Sequence, residues 1–190
     1  MKTITLTGQE CKIFDACHPT QGNISCVVLR MGTFYATDGN ILIALRKNFD
    51  GDGPQGFYEG IDLYFKKPSI MPNKRGYMEI EFDEFITPHR NFPKCFVNKT
   101  GKEGAYMIPV DANACMDTNF PELNRLYKAI NESERTTDTY GMNFNLLSKI
   151  TAVIGPKIQM ELRSEYEGLQ VWPLGEPKPE HPCIIMPMRT

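Results

Sequence analysis

Tyr35-Ala36-Thr37-Asp38-Gly39-Asn40-Ile41-Leu42 reads as two strands folded back on a tight turn. Asp-Gly is a strong hairpin signal because glycine accepts a positive φ and the aspartate side chain can bond the turn's own amides. Outward from the turn, strands are expected at 33–37 and 41–45, and a further one at 24–29. Nearer the start, Ile4 and Leu6 alternate with threonines, the pattern of a half-buried strand. Thr7 and Glu10 stand at capping-box spacing, so a short helix should follow. Cys11, Phe14 and Cys17 or His18 would form its inner face, with Gln9, Lys12 and Asp15 outside, and Pro19 would end it.

The same order of elements returns near residue 190. Phe144, Leu147, Ile150 and Ile154 lie on one stripe of a helix over 143–154, widened by Leu146 and Val153. Gly155-Pro156 closes it. Ile158, Met160 and Leu162 alternate as a strand, Glu167-Gly168 marks a turn, 169–172 returns, and 183–188 reads as a last strand. Strand, helix, strands thus occurs twice, a repeat of topology rather than of residues. The expected fold is α+β, one domain over 1–190. Two halves, about 1–60 and 141–190, would place antiparallel sheets behind two packed helices. Between them, 61–65 and 77–82 look like strands, but prolines at 68, 72, 88, 93, 109 and 121 interrupt the rest. About 61–140 therefore reads as a central insertion or linker. Asp50-Gly51-Asp52-Gly53-Pro54 is a turn rather than a calcium loop, since Ile61 stands where an EF-hand needs glutamate.

With 190 residues and 41% apolar content, the chain can bury a core, and no apolar run is long enough to span a membrane. The opening residues carry no secretory pattern, so a cytoplasmic location is expected. A net charge of -2 argues against a basic DNA-coating protein but permits a locally positive surface. Residues 62 to 102 hold eight Lys/Arg against five Asp/Glu, read as a solvated face. The six cysteines form no C-x-x-C pair and read as buried thiols. His181 and Cys183 are too close in sequence for a nucleophile pair, and Glu79, Glu81 and Asp83 read as a solvated strand face. No phosphate loop or dinucleotide motif occurs, so no cofactor, metal or enzymatic activity is expected.

Two strings carry a family resemblance. Residues 35–42 are similar to the A-T-D-G-H-R-L string of the bacterial DNA polymerase III beta sliding clamps, and Met186-Pro187-Met188-Arg189-Thr190 resembles their M-P-M-R-L terminus. Between them, Phe120-Pro121-Glu122-Leu123-Asn124-Arg125-Leu126 resembles the family's F-P-D-Y-R-R-V linker. The matches occur in the family's order, and 143–162 looks like its last helix and following strands. Family chains carry three domains, and two chains close a ring around DNA. The resemblance implies a reduced clamp whose first part is like the second family domain and whose last part is like the end of the third.

It further implies a hydrophobic pocket for the short linear peptides of polymerases and repair proteins. Matching positions are Thr37, Gly39, Leu42, Pro121, Arg125, Leu126, Met186, Pro187, Met188 and Arg189. Asn40 and Ile41 stand where the family has His and Arg, Leu123 replaces the linker Tyr, and Thr190 the final Leu. Methionine is adaptable and suits a surface that accepts several peptides. On spacing alone, Met186 and Met188 read first as core residues of a terminal strand, and the resemblance reverses that preference. Lys12 and Lys149 are the cations on the two helices that would face duplex DNA without reading its sequence. The resemblance implies a replication accessory protein, a homo-oligomer partnering polymerase and DNA. The rival reading is a monomeric or dimeric decoy that diverts clamp partners.

Overall fold

The computed structural model describes residues 2–47, 62–82, 93–110, 120–132, 143–162 and 168–186. The features expected at 50–54, Asp83, Pro187, Met188 and Arg189 lie outside them. Among the described residues, eleven strands run in chain order: β1 Lys2–Thr7, β2 Cys26–Arg30, β3 Thr33–Thr37, β4 Ile41–Arg46, β5 Leu63–Lys66, β6 Tyr77–Phe82, β7 Lys94–Asn98, β8 Ile108–Val110, β9 Ile158–Leu162, β10 Leu169–Pro173 and β11 Cys183–Ile185. Helix α1 is Leu123–Glu132 and α2 is Phe144–Ile154.

The strands make two antiparallel sheets, one ordered β5-β2-β3-β4-β11-β10-β9 and the other β1-β6-β7-β8. The large sheet joins both ends of the chain where β4 meets β11, pairing Leu42 with Ile184 and Ile41 with Ile185. The small sheet takes β1 from the first residues and β6 to β8 from the central stretch. The described part of the central stretch thus supplies β6, β7 and β8 of the small sheet and β5 of the large one.

Alternation along the strands explains the layers. Val27, Leu29, Phe34, Ala36, Ile41 and Ile43 point to one face of the large sheet and join the main core. That core also contains Ile4 and Leu6 of β1, Met78, Ile80 and Phe82 of β6, and Ile150 and Val153 of α2. Val28, Tyr35, Leu42 and Ile184 point to the opposite face, where α1 covers them. β2 to β4 are therefore buried on both sides, unlike strands with one wet face.

The short helix near the start is a 3-10 helix over Glu10–Ala16. Its buried residues form two i, i+3 pairs, Cys11 with Phe14 and Ile13 with Ala16, which the tighter period stacks on one side. The capping box is present: the Glu10 amide donates to Thr7 Oγ1 at 3.2 Å, and the Thr7 amide donates to Glu10 Oε2 at 2.8 Å. This helix packs on α2, where Gln9 Nε2 donates to the Val153 carbonyl. Helix α2 begins on its Asn143 cap, whose side chain accepts from the Asn145 amide, and ends at Gly155 with φ 101°. The expected stripe needs one correction: Phe144 is 74% exposed. It sits in the first turn, before the helix reaches the core, so the inner face is Leu146, Leu147, Ile150, Val153 and Ile154.

Other boundaries also moved. The 24–29 segment splits into a 3-10 turn at Gly22–Ile24 and β2. The last strand stops at Ile185, and Met186 follows it. Within 119–126, the linker-like string turns into the helix α1 at Leu123.

Candidate functional site

The described residues of the three sequence strings, Met186 alone for the last, meet on the outer face of the large sheet. The turn after β3 is fixed from within. Asp38 Oδ1 accepts the amides of Asn40 and Ile41, at 3.0 and 3.2 Å. Thr37 Oγ1 donates to the Ile41 carbonyl at 2.6 Å and accepts the Gly39 amide at 3.1 Å. Gly39 has φ 91°, the conformation its type supplies cheaply. The Met186 amide donates to the Asn40 carbonyl at 2.7 Å, so the residue after β11 is tied to this turn.

Helix α1 is positioned by its apolar stripe. Leu123, Tyr127 and Ile130 are buried with Phe120 against Val28, Tyr35, Leu42 and Ile184, while Leu126 and Met186 pack at the margin, half-buried. Leu42, Leu126 and Met186, one from each string, thus share one apolar cluster. Ile41 points the other way into the main core, Thr37 is buried, and Asn40, Pro121 and Arg125 are exposed.

An aromatic latch that single-sequence reading missed holds α1 in place. Tyr127 stacks on His181 with ring centroids 4.5 Å apart and planes at 13°. Its hydroxyl donates to the Pro182 carbonyl at 2.8 Å. Tyr35 of β3 also hydrogen-bonds His181, through Nδ1. Burial, together with the nearby charges of Arg46 and Arg30 and against that of Glu180, holds the His181 imidazole below its ordinary value. Cys183, two residues on, is no nucleophile: burial pushes its thiol up to about 12, and it donates to the Ala44 carbonyl.

The two expected DNA-facing lysines are both paired. Lys149 Nζ on α2 donates to Asp38 Oδ2 at 2.7 Å, and Lys12 lies 3.7 Å from Asp15. Burial works against the Asp38 charge, but the Lys149 ammonium and the Asn40 and Ile41 amides outweigh it. They hold the carboxyl below its ordinary 3.8. A carboxylate with a depressed folded value stabilises the fold above its unfolded value and loses that contribution as pH falls through the folded one. The acid unfolding of the wild type should therefore include a component below about pH 4 that Asp38→Asn lacks, read by circular dichroism across an acid titration. Superimposable acid limbs in the two proteins would sink this assignment. Among the described residues, no cluster of three or more His, Cys, Asp or Glu could hold a metal ion.

The fold is similar to that of solved structures. A DNA polymerase sliding clamp from Pseudomonas aeruginosa aligns over 100% of this chain and 66% of its own, at 12% identity and a TM-score of 0.54. The DNA polymerase III subunit beta from the same organism aligns over 99% of this chain and 66% of its own, at 12% identity and a TM-score of 0.52. The fold is a sliding-clamp fold. This chain spans 66% of the length of those clamps. No protein-family model and no curated protein matches it. No described helix is long and apolar enough to cross a membrane.

Proposed function

We propose that this protein is a non-enzymatic, sliding-clamp-like replication accessory protein that takes linear clamp-binding peptides of polymerase or repair proteins. The observation that carries the reading is the meeting of three separate strings in one apolar cluster, through Leu42, Leu126 and Met186. The half-buried Leu126 and Met186 sit at the accessible margin, where a peptide's apolar side chains would dock beside the exposed Pro121 and Arg125. The Asp38 turn and the latch on α1 hold the margin's walls in place, which lowers the ordering cost of binding. Pro187, Met188 and Arg189 would complete the peptide surface.

Fluorescence polarisation with a labelled clamp-binding-motif peptide tests this. The wild type should bind, and Leu126→Ala with Met186→Ala should weaken binding about tenfold or more, since hot-spot contacts are lost without emptying the core. No binding by the folded wild type, or equal binding by the variant, refutes the peptide reading.

A second reading is a monomeric or dimeric decoy acting on clamp partners. It is favoured by the Lys149–Asp38 ion pair, which neutralises one of the two expected DNA-facing lysines, while Lys12 shares Asp15 with Lys67. Light scattering separates the two. Assembly into a closed homo-oligomer supports the clamp, whereas a monomer or dimer that binds peptide and ignores duplex DNA supports the decoy.

A further inference from the structure

Two loops at one end of the small sheet carry a basic cluster. Lys74 and Arg75 precede β6, and Lys99 and Lys102 follow β7. All four are exposed, and among the described residues none has a carboxylate partner. By contrast, Arg30, Lys47, Lys67, Lys149 and Lys178 each hydrogen-bond a carboxylate. Across residues 71–76 and 98–106, Glu103 is the single acid set against these four cations. For a chain of net charge -2, this is a concentrated positive site.

The two loops are fastened together. The Asn73 amide donates to the Lys99 carbonyl at 2.9 Å, and the Gly8 amide to the Gly76 carbonyl at 2.7 Å. Asn73 Oδ1 accepts the Arg75 and Gly76 amides, and Asn98 Oδ1 accepts those of Thr100 and Gly101. The backbones touch so closely that a Cβ built on Gly101 would lie 1.8 Å from the Arg75 carbonyl oxygen. The cations therefore project from a fixed frame. On the same loop, Tyr106 is 81% exposed, a large aromatic face with no core role.

We propose that this loop pair is a binding site for single-stranded nucleic acid. Lys74, Arg75, Lys99 and Lys102 contact the phosphate backbone and Tyr106 stacks on a base, the combination of charge and aromatic platform that unpaired strands require. A duplex keeps its bases stacked internally and would use only the charges. The site goes beyond the reading above, and it does not involve the peptide margin or the helix lysines.

Fluorescence anisotropy of labelled oligo(dT), against a duplex of equal length, tests the site. Four phosphate contacts on a single strand give a log-log salt slope of about -3, so affinity should fall about fiftyfold between roughly 50 and 200 mM salt. The combined variant Lys74→Gln, Arg75→Gln, Lys99→Gln, Lys102→Gln should lose binding and its salt slope. Lys12→Gln with Lys149→Gln should leave the slope unchanged. Tyr106→Ala should weaken oligo(dT) binding about tenfold while sparing the duplex. Absence of oligo(dT) binding, an unchanged slope in the four-site variant, or tighter binding of duplex than of single strand overturns the assignment. Peptide binding measured in the same samples reports the other reading separately.

Discussion

Gly101→Ala should destabilise the protein by about 3 kcal/mol or more, while Gly104→Ala, three residues along, should cost about 1 kcal/mol. The two glycines have nearly the same φ, 72° and 71°, so the cost of a positive φ for alanine is common to both. Their surroundings differ. The Cβ of an alanine at 101 meets the Arg75 carbonyl oxygen at 1.8 Å, whereas nothing lies within 4 Å at 104. Relief at 101 requires the two loops to part, breaking the Asn98 and Asn73 bonds that close them. Urea midpoints of the two variants isolate the contact from the strain. Equal shifts would mean that the loops are not in contact. Parting the loops should also weaken oligo(dT) binding in whatever fraction of Gly101→Ala remains folded.

Tyr127→Ala should cost about 3 to 5 kcal/mol, as large aromatic deletions in a core do. Tyr127 is 3% exposed, and its loss removes the ring stacked on His181 as well as the cap on the Pro182 carbonyl. Tyr127→Phe keeps the ring and should cost only about 1 to 3 kcal/mol, the penalty of a carbonyl left unsatisfied. Because α1 is anchored by this one aromatic and three aliphatic or phenyl neighbours, the alanine variant should also lose hydrogen-exchange protection over 123–132 before the rest of the fold opens. Uniform loss of protection across both sheets would show instead that α1 is inseparable from the main core. If α1 frees itself first, peptide binding should fall further than the population of unfolded chain explains.

The fold was legible where local chemistry and tertiary structure agree. Asp38-Gly39 forms the expected turn, Thr7 and Glu10 form the expected cap, and Asn143 and Gly155 bracket α2. Helix α1 was missed although its signal is present: Leu123, Tyr127 and Ile130 recur at helical spacing behind Pro121. The family-like string drew that stretch toward a linker, and the prolines before it suggested extended chain. β7 and β8 were missed because short strands are defined by partners, and Pro109 stands inside β8, an edge where its missing amide costs nothing.

Of the candidate site, Leu42, Leu126 and Met186 were named from motif strings, and their meeting was beyond local pattern. The His181 latch was unreadable because Tyr35 lies 146 residues away in sequence. Lys149 was correctly placed on a helix, but its carboxylate partner sits on a turn far away in the chain. Nothing in the string around a lysine announces whether its charge will be matched.

The seam between β4 and β11 has a kinetic consequence. Leu42 and Ile184, about 140 residues apart, are paired across only a short register, so the large sheet closes through one of the longest loops the chain can make. Such non-local closure is slow, and it comes after the hairpins on either side can form. Until it happens, β4 is an unprotected border whose backbone groups are open to any extended chain that passes, including β11 of another molecule. Concentrated refolding should therefore yield strand-exchanged dimers, in which each molecule lends its β11 to its neighbour, and dilution should suppress them.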